Sequence, residues 1–331
     1  AVLVELSASV LMRTTEGEQA SNSQGAFDDH PVPPQRTLEG EPPSAFDDWA
    51  FDEYHLPPQI PKSAQIEWTG QRWTPRGWVY PREPGKRAYF DIHIPKTAGC
   101  SFSKDLRWVL APGEGYHSKE SCFYTSKPME AGDGIIAFLR NPVMHVYSQF
   151  LECKYDKWGK QIVPEEDLPI LENVTTWLRH FEGGAVKYNL RCYHPYNMQA
   201  RALTCQGPGG AHHYRTHGPP RPEVALKNLG SLFFVGVVEH YAASVCLFFA
   251  KTQPGQPLPK FCDCTDESSS AHFKHFSHFA PPHSLGNLTE EDRSMIAELT
   301  QVDQQLYDRA LERFGKEVGE VERTSGTKIL C

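Results

Sequence analysis

The stretch RAYFDIHIPKTAGCSF, residues 87–102, decides the fold. Its first half, RAYFDIHI, is a β-rich run, and PKTAG after it is a tight loop of small residues. Phe102, Leu106, Val109 and Leu110 then recur at helical spacing. A strand running through a short loop into a helix N-terminus aims backbone N–H groups and the positive end of the helix dipole at an anion. Gly99 lets the backbone approach closely, Lys96 adds a mobile positive charge, and Thr97 and Ser101 add hydroxyl donors. The loop is nonetheless unlike that of common ATPases and GTPases, because no G-x-x-x-x-G-K-[ST] occurs in the chain.

Working outward, GIIAFLR at 134–140 is a short continuous apolar run, as in a strand buried on both faces. Asn141 and Pro142 follow as N-cap and first residue of a helix whose apolar stripe is Val143, Val146, Tyr147, Phe150 and Leu151. Arg140 therefore ends a buried strand, at the edge where open α/β sheets bind ligands. A guanidinium fork there, with Ser148 about two turns into the helix, suits a second phosphate. Ser148 taken alone reads first as an incidental helix serine.

SLFFVGVV at 231–238 predicts a third strand, and EHYAASVCLFFAK a helix leaving it. Further helices are expected near 166–182 and 222–229, and a long C-terminal helix opens with a capping box at Thr289. Strands alternating with helices predict an α/β fold: a doubly wound, mostly parallel sheet flanked by helices. The expected boundaries are an irregular, Pro-rich stem over 1–87, a catalytic domain over 88–318 and a tail over 319–331. Within the stem, residues 13–63 hold PVPP, EPPS and LPPQIP clusters and too little apolar surface to offset their ordering entropy. Trp68, Trp73 and Trp78 read as a strap packed on the domain, ahead of the alternative of an aromatic substrate platform.

The chain's 331 residues carry a net charge of -8, which lacks the basic footprint of a nucleic-acid protein. No run of about 18 apolar residues is present. The opening AVLVELSASVLM reads either as the end of a signal anchor lying upstream or as a frayed terminus. Nine cysteines leave at least one thiol outside an intrachain disulfide. With the sequons Asn173-Val174-Thr175 and Asn287-Leu288-Thr289 they tilt the reading to the secretory pathway. A disulfide between Cys192 and Cys205 fits an oxidising lumen. His272, His275 and His278, after Cys262 and Cys264, offer zinc ligands at an unusual spacing, and no metal is expected. Arg201 and Arg215 are read either as contacts to an anionic acceptor or as solvated surface arginines.

HIPKTAGCSF followed by FLRNPVMHVYSQF resembles the two cofactor-binding signatures of the sulfotransferases. Within them it is most similar to carbohydrate sulfotransferases of the heparan sulfate 2-O-sulfotransferase type, over roughly residues 88–317. The resemblance implies a P-loop-like fold and 3′-phosphoadenosine 5′-phosphosulfate (PAPS) as sulfuryl donor. It assigns Lys96, Thr97, Ala98, Gly99, Cys100 and Ser101 to the 5′-phosphosulfate, and Arg140 and Ser148 to the 3′-phosphate. Cys100 departs from the family's usual Thr or Ser, keeping the backbone N–H but weakening a hydroxyl contact. Residues 271–283 become a loop near the nucleotide, with Lys274 as a contact to phosphate or substrate.

Transfer also needs a base for the acceptor hydroxyl and a cation for the leaving phosphate oxygen. Lys96 is the expected cation. His117, between the two motifs, matches where the family places a catalytic histidine, and Glu114 and Glu120 are its rivals. The implied acceptor is a glycan and the implied location the Golgi lumen, as a type II membrane protein. A small metabolite or protein tyrosine as acceptor, and with it a cytoplasmic location, is the alternative. A P-loop-like kinase lacks its Mg²⁺-binding acidic motif here, and a non-catalytic binding protein conflicts with intact Lys96, Arg140 and Ser148.

Overall fold

The structure is a computed structural model, describing residues 72–74, 77–120, 122–123, 130–182, 192–205, 220–267, 269, 272–273 and 281–331. The stem over 13–63, Trp68, Arg215 and Lys274 lie outside these residues.

A six-stranded sheet organises the chain. Its strands are β1 (Arg72–Thr74), β2 (Gly77–Tyr80), β3 (Ala88–Ile92), β4 (Gly115–Lys119), β5 (Gly134–Leu139) and β6 (Phe234–Val237). The spatial order is β1-β2-β4-β3-β5-β6. β4, β3, β5 and β6 are mutually parallel, and the β1–β2 hairpin joins antiparallel at β4. The three strands expected from apolar runs are all present, and the chain is α/β with a parallel core flanked by helices. Trp73 and Trp78 pair in register across the hairpin, so this part of the stem is sheet.

The helices are α1 (Gly99–Val109), α2 (Pro142–Tyr155), α3 (Lys157–Ile162), α4 (Val174–His180), α5 (Met198–Thr204), α6 (Pro222–Ser231), α7 (Tyr241–Thr252), α8 (Glu290–Leu299) and α9 (Gln301–Ser325). The helix expected over 166–182 is a 3₁₀ turn, Glu165–Leu171, and then α4, because Asn173 restarts the chain as an N-cap. The long C-terminal helix breaks at Thr300 into α8 and α9. α9 carries buried Val318 and runs to Ser325, so 319–325 of the expected tail are helical, while 326–331 are irregular and tied back by Cys264–Cys331.

One face of the sheet packs on α1 and α7. Phe102 of α1 meets Phe138 of β5 at 4.7 Å and Phe248 of α7 edge-on at 5.2 Å. Phe102 is fully buried, so Phe102→Ala removes about 3–5 kcal/mol of stability. The ring of Phe138 also explains a glycine inside β6: a Cβ on Gly236 would lie 2.3 Å from it.

Four disulfides close the fold: Cys122–Cys205, Cys153–Cys192, Cys246–Cys262 and Cys264–Cys331. Cys192 and Cys205 are thus both bonded, but to different partners from those expected, since each finds a cysteine distant in sequence. Cys262 and Cys264 are likewise withdrawn from the zinc reading. Four disulfides mark a protein of an oxidising, secretory-type compartment rather than the cytosol. Among the described residues no helix is long and apolar enough to cross a membrane.

A candidate anion site at the sheet switch point

After β3 the chain steps to one side, to β4, and then crosses back to place β5 on the other side of β3. The crevice beyond the carboxyl ends of β3 and β5 is therefore the switch point where open α/β sheets bind ligands. The loop 93–98 and the Arg140–Asn141 turn flank it.

The first loop is strained and tightly bonded. Lys96 and Ala98 take left-handed backbone conformations, at φ 67° and 66°, which residues with a Cβ seldom adopt. Thr97 donates both its N–H and its hydroxyl to Ile94 O, at 3.3 and 2.8 Å, so its hydroxyl proton holds the turn. Pro95 O accepts from His145 Nε2 at 2.8 Å. Burial pushes His145 down to about 3, so the ring is neutral and Nε2 carries its proton. Ala98 supplies no side-chain cap to α1, whose opening N–H groups at Gly99 and Cys100 have no carbonyl within the helix to reach.

Gly99 does provide close approach, but the neighbour is a protein group. A Cβ there would lie 2.4 Å from His93 Nδ1 and 2.5 Å from its Cε1. Cys100 is the one cysteine outside the four disulfides. Burial and the charge of Glu152 push its thiol up to about 11, so it stays protonated and unreactive at neutral pH.

The Lys96 ammonium lies 3.0 Å from Glu152 Oε2 of α2, with both side chains 8 % exposed. Tyr193 donates its hydroxyl to the same oxygen at 2.8 Å. The Cys153–Cys192 disulfide joins the residues next to Glu152 and Tyr193, fixing α2 against that segment. Lys96 is thus held over the loop by a carboxylate that sequence reading did not single out.

The second loop is rigid by a different device. Gln199 brackets the Arg140 peptide, accepting from its N–H and donating to its O, both at 2.9 Å. Gln199 is itself set by Asp303, which accepts from the N–H groups of Gln199 and Ala200. Asn141 caps α2 as expected, its Oδ1 accepting from Val143 and Met144 N–H, and Glu239 accepts from the Asn141 N–H. Arg140 Nη1 donates to Lys96 O at 3.2 Å, tying the two loops together. Its Nε is buried and has no hydrogen-bond partner among the described residues. A buried guanidinium N–H without an acceptor is costly, so an anion beside it is the fitting complement. Ser148 is buried at 5 % exposure on α2, about 9 Å along the helix from Pro142.

The candidate bases are scattered. His117 lies on β4, between Val79 and Phe90, its ring 6.0 Å from that of Phe90. Burial and the charge of Lys119 lower its pKa, so it is neutral and able to accept a proton. Glu114 precedes β4 and takes a hydrogen bond from Tyr89. That puts it at the amino end of the parallel strands, a strand length of roughly 16 Å from the loops, which removes it as a rival. Glu120 follows β4, is exposed, and its charge reaches Cys100 and Tyr193. Arg201 faces neither acceptor nor solvent: it is fully buried, donating to Tyr196 O and His194 O. His272 stacks on Phe261 at 4.1 Å, and among the described residues no cluster of three or more metal-ligating side chains occurs. No protein-family model matches the sequence, and neither does any curated protein.

Proposed function

We propose that the protein transfers a sulfuryl group from PAPS to an acceptor hydroxyl, with a glycan as the acceptor class. The observation that carries this reading is the linkage of two cationic loops across one switch point. Arg140 bonds the backbone of Lys96 while keeping a buried Nε–H without an acceptor among the described residues. Two anion sites held at a fixed separation match a nucleotide phosphorylated at both its 3′ and 5′ positions.

In this reading the N–H groups opening α1 hold the 5′ end and the Arg140 guanidinium holds the 3′-phosphate, with Ser148 on the same helix. Lys96 meets the negative charge that grows on the bridging oxygen as the sulfur–oxygen bond breaks, exchanging its contact with Glu152 for that oxygen. A histidine takes the acceptor proton; the resemblance nominates His117. The oxidising compartment marked by the disulfides is, in this proposal, the Golgi lumen, where glycan hydroxyls are the abundant acceptors.

The test is incubation of the full chain with ³⁵S-labelled PAPS and a panel of glycans, small hydroxylated compounds and tyrosine peptides. Label is expected in a glycan. Label only in a small compound or peptide would keep the chemistry and change the acceptor; label in none would overturn the proposal.

A further inference from the structure

We infer that His93, on the loop itself, is the general base of this reaction, its tautomer set by a hydrogen-bonded chain running back to Asp91. The inference rests on the sulfuryl-transfer reading and assigns the base within it.

Asp91 is buried in the middle of the β3–β4 pairing, opposite Ser118. Tyr116 and Ser118 both donate to Asp91 Oδ2, at 2.8 and 2.7 Å. Burial raises the Asp91 carboxyl and its bonds from Tyr116 and Ser118 oppose that rise; in the ionised form it takes the single proton of Ser118. The contact of 3.1 Å between Ser118 Oγ and His93 Nδ1 must then run the other way, with Nδ1–H as donor and Oγ as acceptor. A neutral imidazole protonated at Nδ1 carries its lone pair on Nε2. His93 is half-buried, and no group among the described residues bonds its Nε2. An acid, a hydroxyl and an imidazole in series hold the ring in one tautomer and stabilise the cation that forms when Nε2 takes a proton.

The ring is also in the right place. The His93 N–H bonds Lys119 O at 3.0 Å, extending the β3–β4 pairing to the edge of the sheet. Its ring lies on Gly99, the first residue of α1, and a side chain at Gly99 would collide with it. His93 therefore borders the helix N-terminus proposed to hold the phosphosulfate. His117 points to the opposite face of β4 from Ser118, because neighbouring strand residues alternate. The titratable groups near His93 are Asp91 and Tyr116 beyond Ser118, His117 and Lys119 along β4, and Lys96 and Cys100 along the loop.

The step balances without a further reactant. The acceptor oxygen gives its proton to His93 Nε2 and forms a bond to sulfur. The bond from sulfur to the bridging phosphate oxygen breaks, its electron pair stays on that oxygen, and Lys96 neutralises it. His93 leaves the step as an imidazolium facing Ser118 and Asp91, and returns the proton to solvent.

The test compares wild type with His93→Ala, Ser118→Ala and His117→Ala. Histidine ring ¹⁵N resonances report the tautomer independently of activity: His93 is expected as the Nδ1–H form in wild type and as the other form, or a mixture, in Ser118→Ala. His93→Ala is expected to keep its fold and its affinity for the product nucleotide, to lose 10²–10⁴-fold in kcat, to lose the lower limb of the pH–rate profile, and to regain turnover with added imidazole. An Nε2–H tautomer in wild type would overturn the chain. Turnover of folded His93→Ala within threefold of wild type would overturn the role, and loss in His117→Ala alone would give it to His117. A wild type that neither binds the nucleotide nor transfers the sulfuryl group would instead remove the functional reading beneath it.

Discussion

The two loops at the switch point present cations of opposite character. At the end of β3, Lys96 rides on a strained backbone and its ammonium is engaged by Glu152. At the end of β5, the Arg140 backbone is locked by Gln199 while its guanidinium keeps an N–H without an acceptor among the described residues. A cation that must change partners during a reaction is served by the first arrangement, and a cation that only anchors is served by the second. In the proposed reaction the first loop therefore serves chemistry and the second recognition.

Substitutions at the two loops should therefore separate turnover from binding. Lys96→Ala is expected to lower kcat by a hundredfold or more, about 3 kcal/mol or above, with product-nucleotide affinity changed far less. Equal losses in both, measured by initial rates and calorimetry, would make Lys96 another anchor. Glu152→Gln tests the same loop through stability. It strands a buried ammonium, so unfolding free energy should fall by about 3 kcal/mol in denaturant titrations. A change below about 1 kcal/mol would place that pair effectively in solvent.

At the second loop, Arg140→Ala should cost about 1.5–3 kcal/mol of affinity for a nucleotide bearing a 3′-phosphate and almost nothing for one lacking it. Loss for both nucleotides alike would mean that Arg140 serves the loop rather than the phosphate. His145, which holds the first loop through Pro95, supplies a pH test. Its folded pKa of about 3 lies below the unfolded value near 6.5, so between these values only the unfolded state binds the proton. The stability it confers is present above pH 6.5 and is lost as pH falls. Relative to His145→Gln, wild type should lose about 2 kcal/mol between pH 6.5 and 5 in paired chemical denaturation curves. Parallel curves would show a ring that titrates freely.

The smallest effect lies away from both loops and serves as a control. Asn173 and Asn287 are exposed, and each turns its Oδ1 to a backbone N–H, of Thr176 and of Ser284. An attached glycan would bond the other amide atom, the nitrogen. Chain secreted from a eukaryotic host should drop by two mobility steps on glycosidase treatment. Asn173→Asp with Asn287→Asp should abolish the drop while leaving turnover unchanged, and altered turnover would tie that surface to the site.

Both loops were legible in the sequence because their signals are local: apolar strands, small residues, an N-cap followed by proline. β4 was not. Its segment GYHSK turns Tyr116 and Ser118 to a core that holds buried Asp91, so polar residues face inward and the usual alternation disappears. The first loop's cation was legible while its partner was not, since Glu152 lies 56 positions away and reads as an ordinary helix glutamate. His93 stood in the quoted motif without a role, because its role depends on Ser118, which pairing between strands brings near. Disulfide connectivity was hidden for the same reason: Cys122 meets Cys205 across 83 positions.

Two anion sites held at one sheet edge should select a nucleotide phosphorylated at both ends. Titration calorimetry of the full chain with 3′-phosphoadenosine 5′-phosphate, adenosine 5′-monophosphate and ATP tests it most directly. The doubly phosphorylated nucleotide should bind at least tenfold more tightly than either of the others, an advantage that disappears in Arg140→Ala. Equal affinity for all three, or an advantage that survives Arg140→Ala, would contradict it.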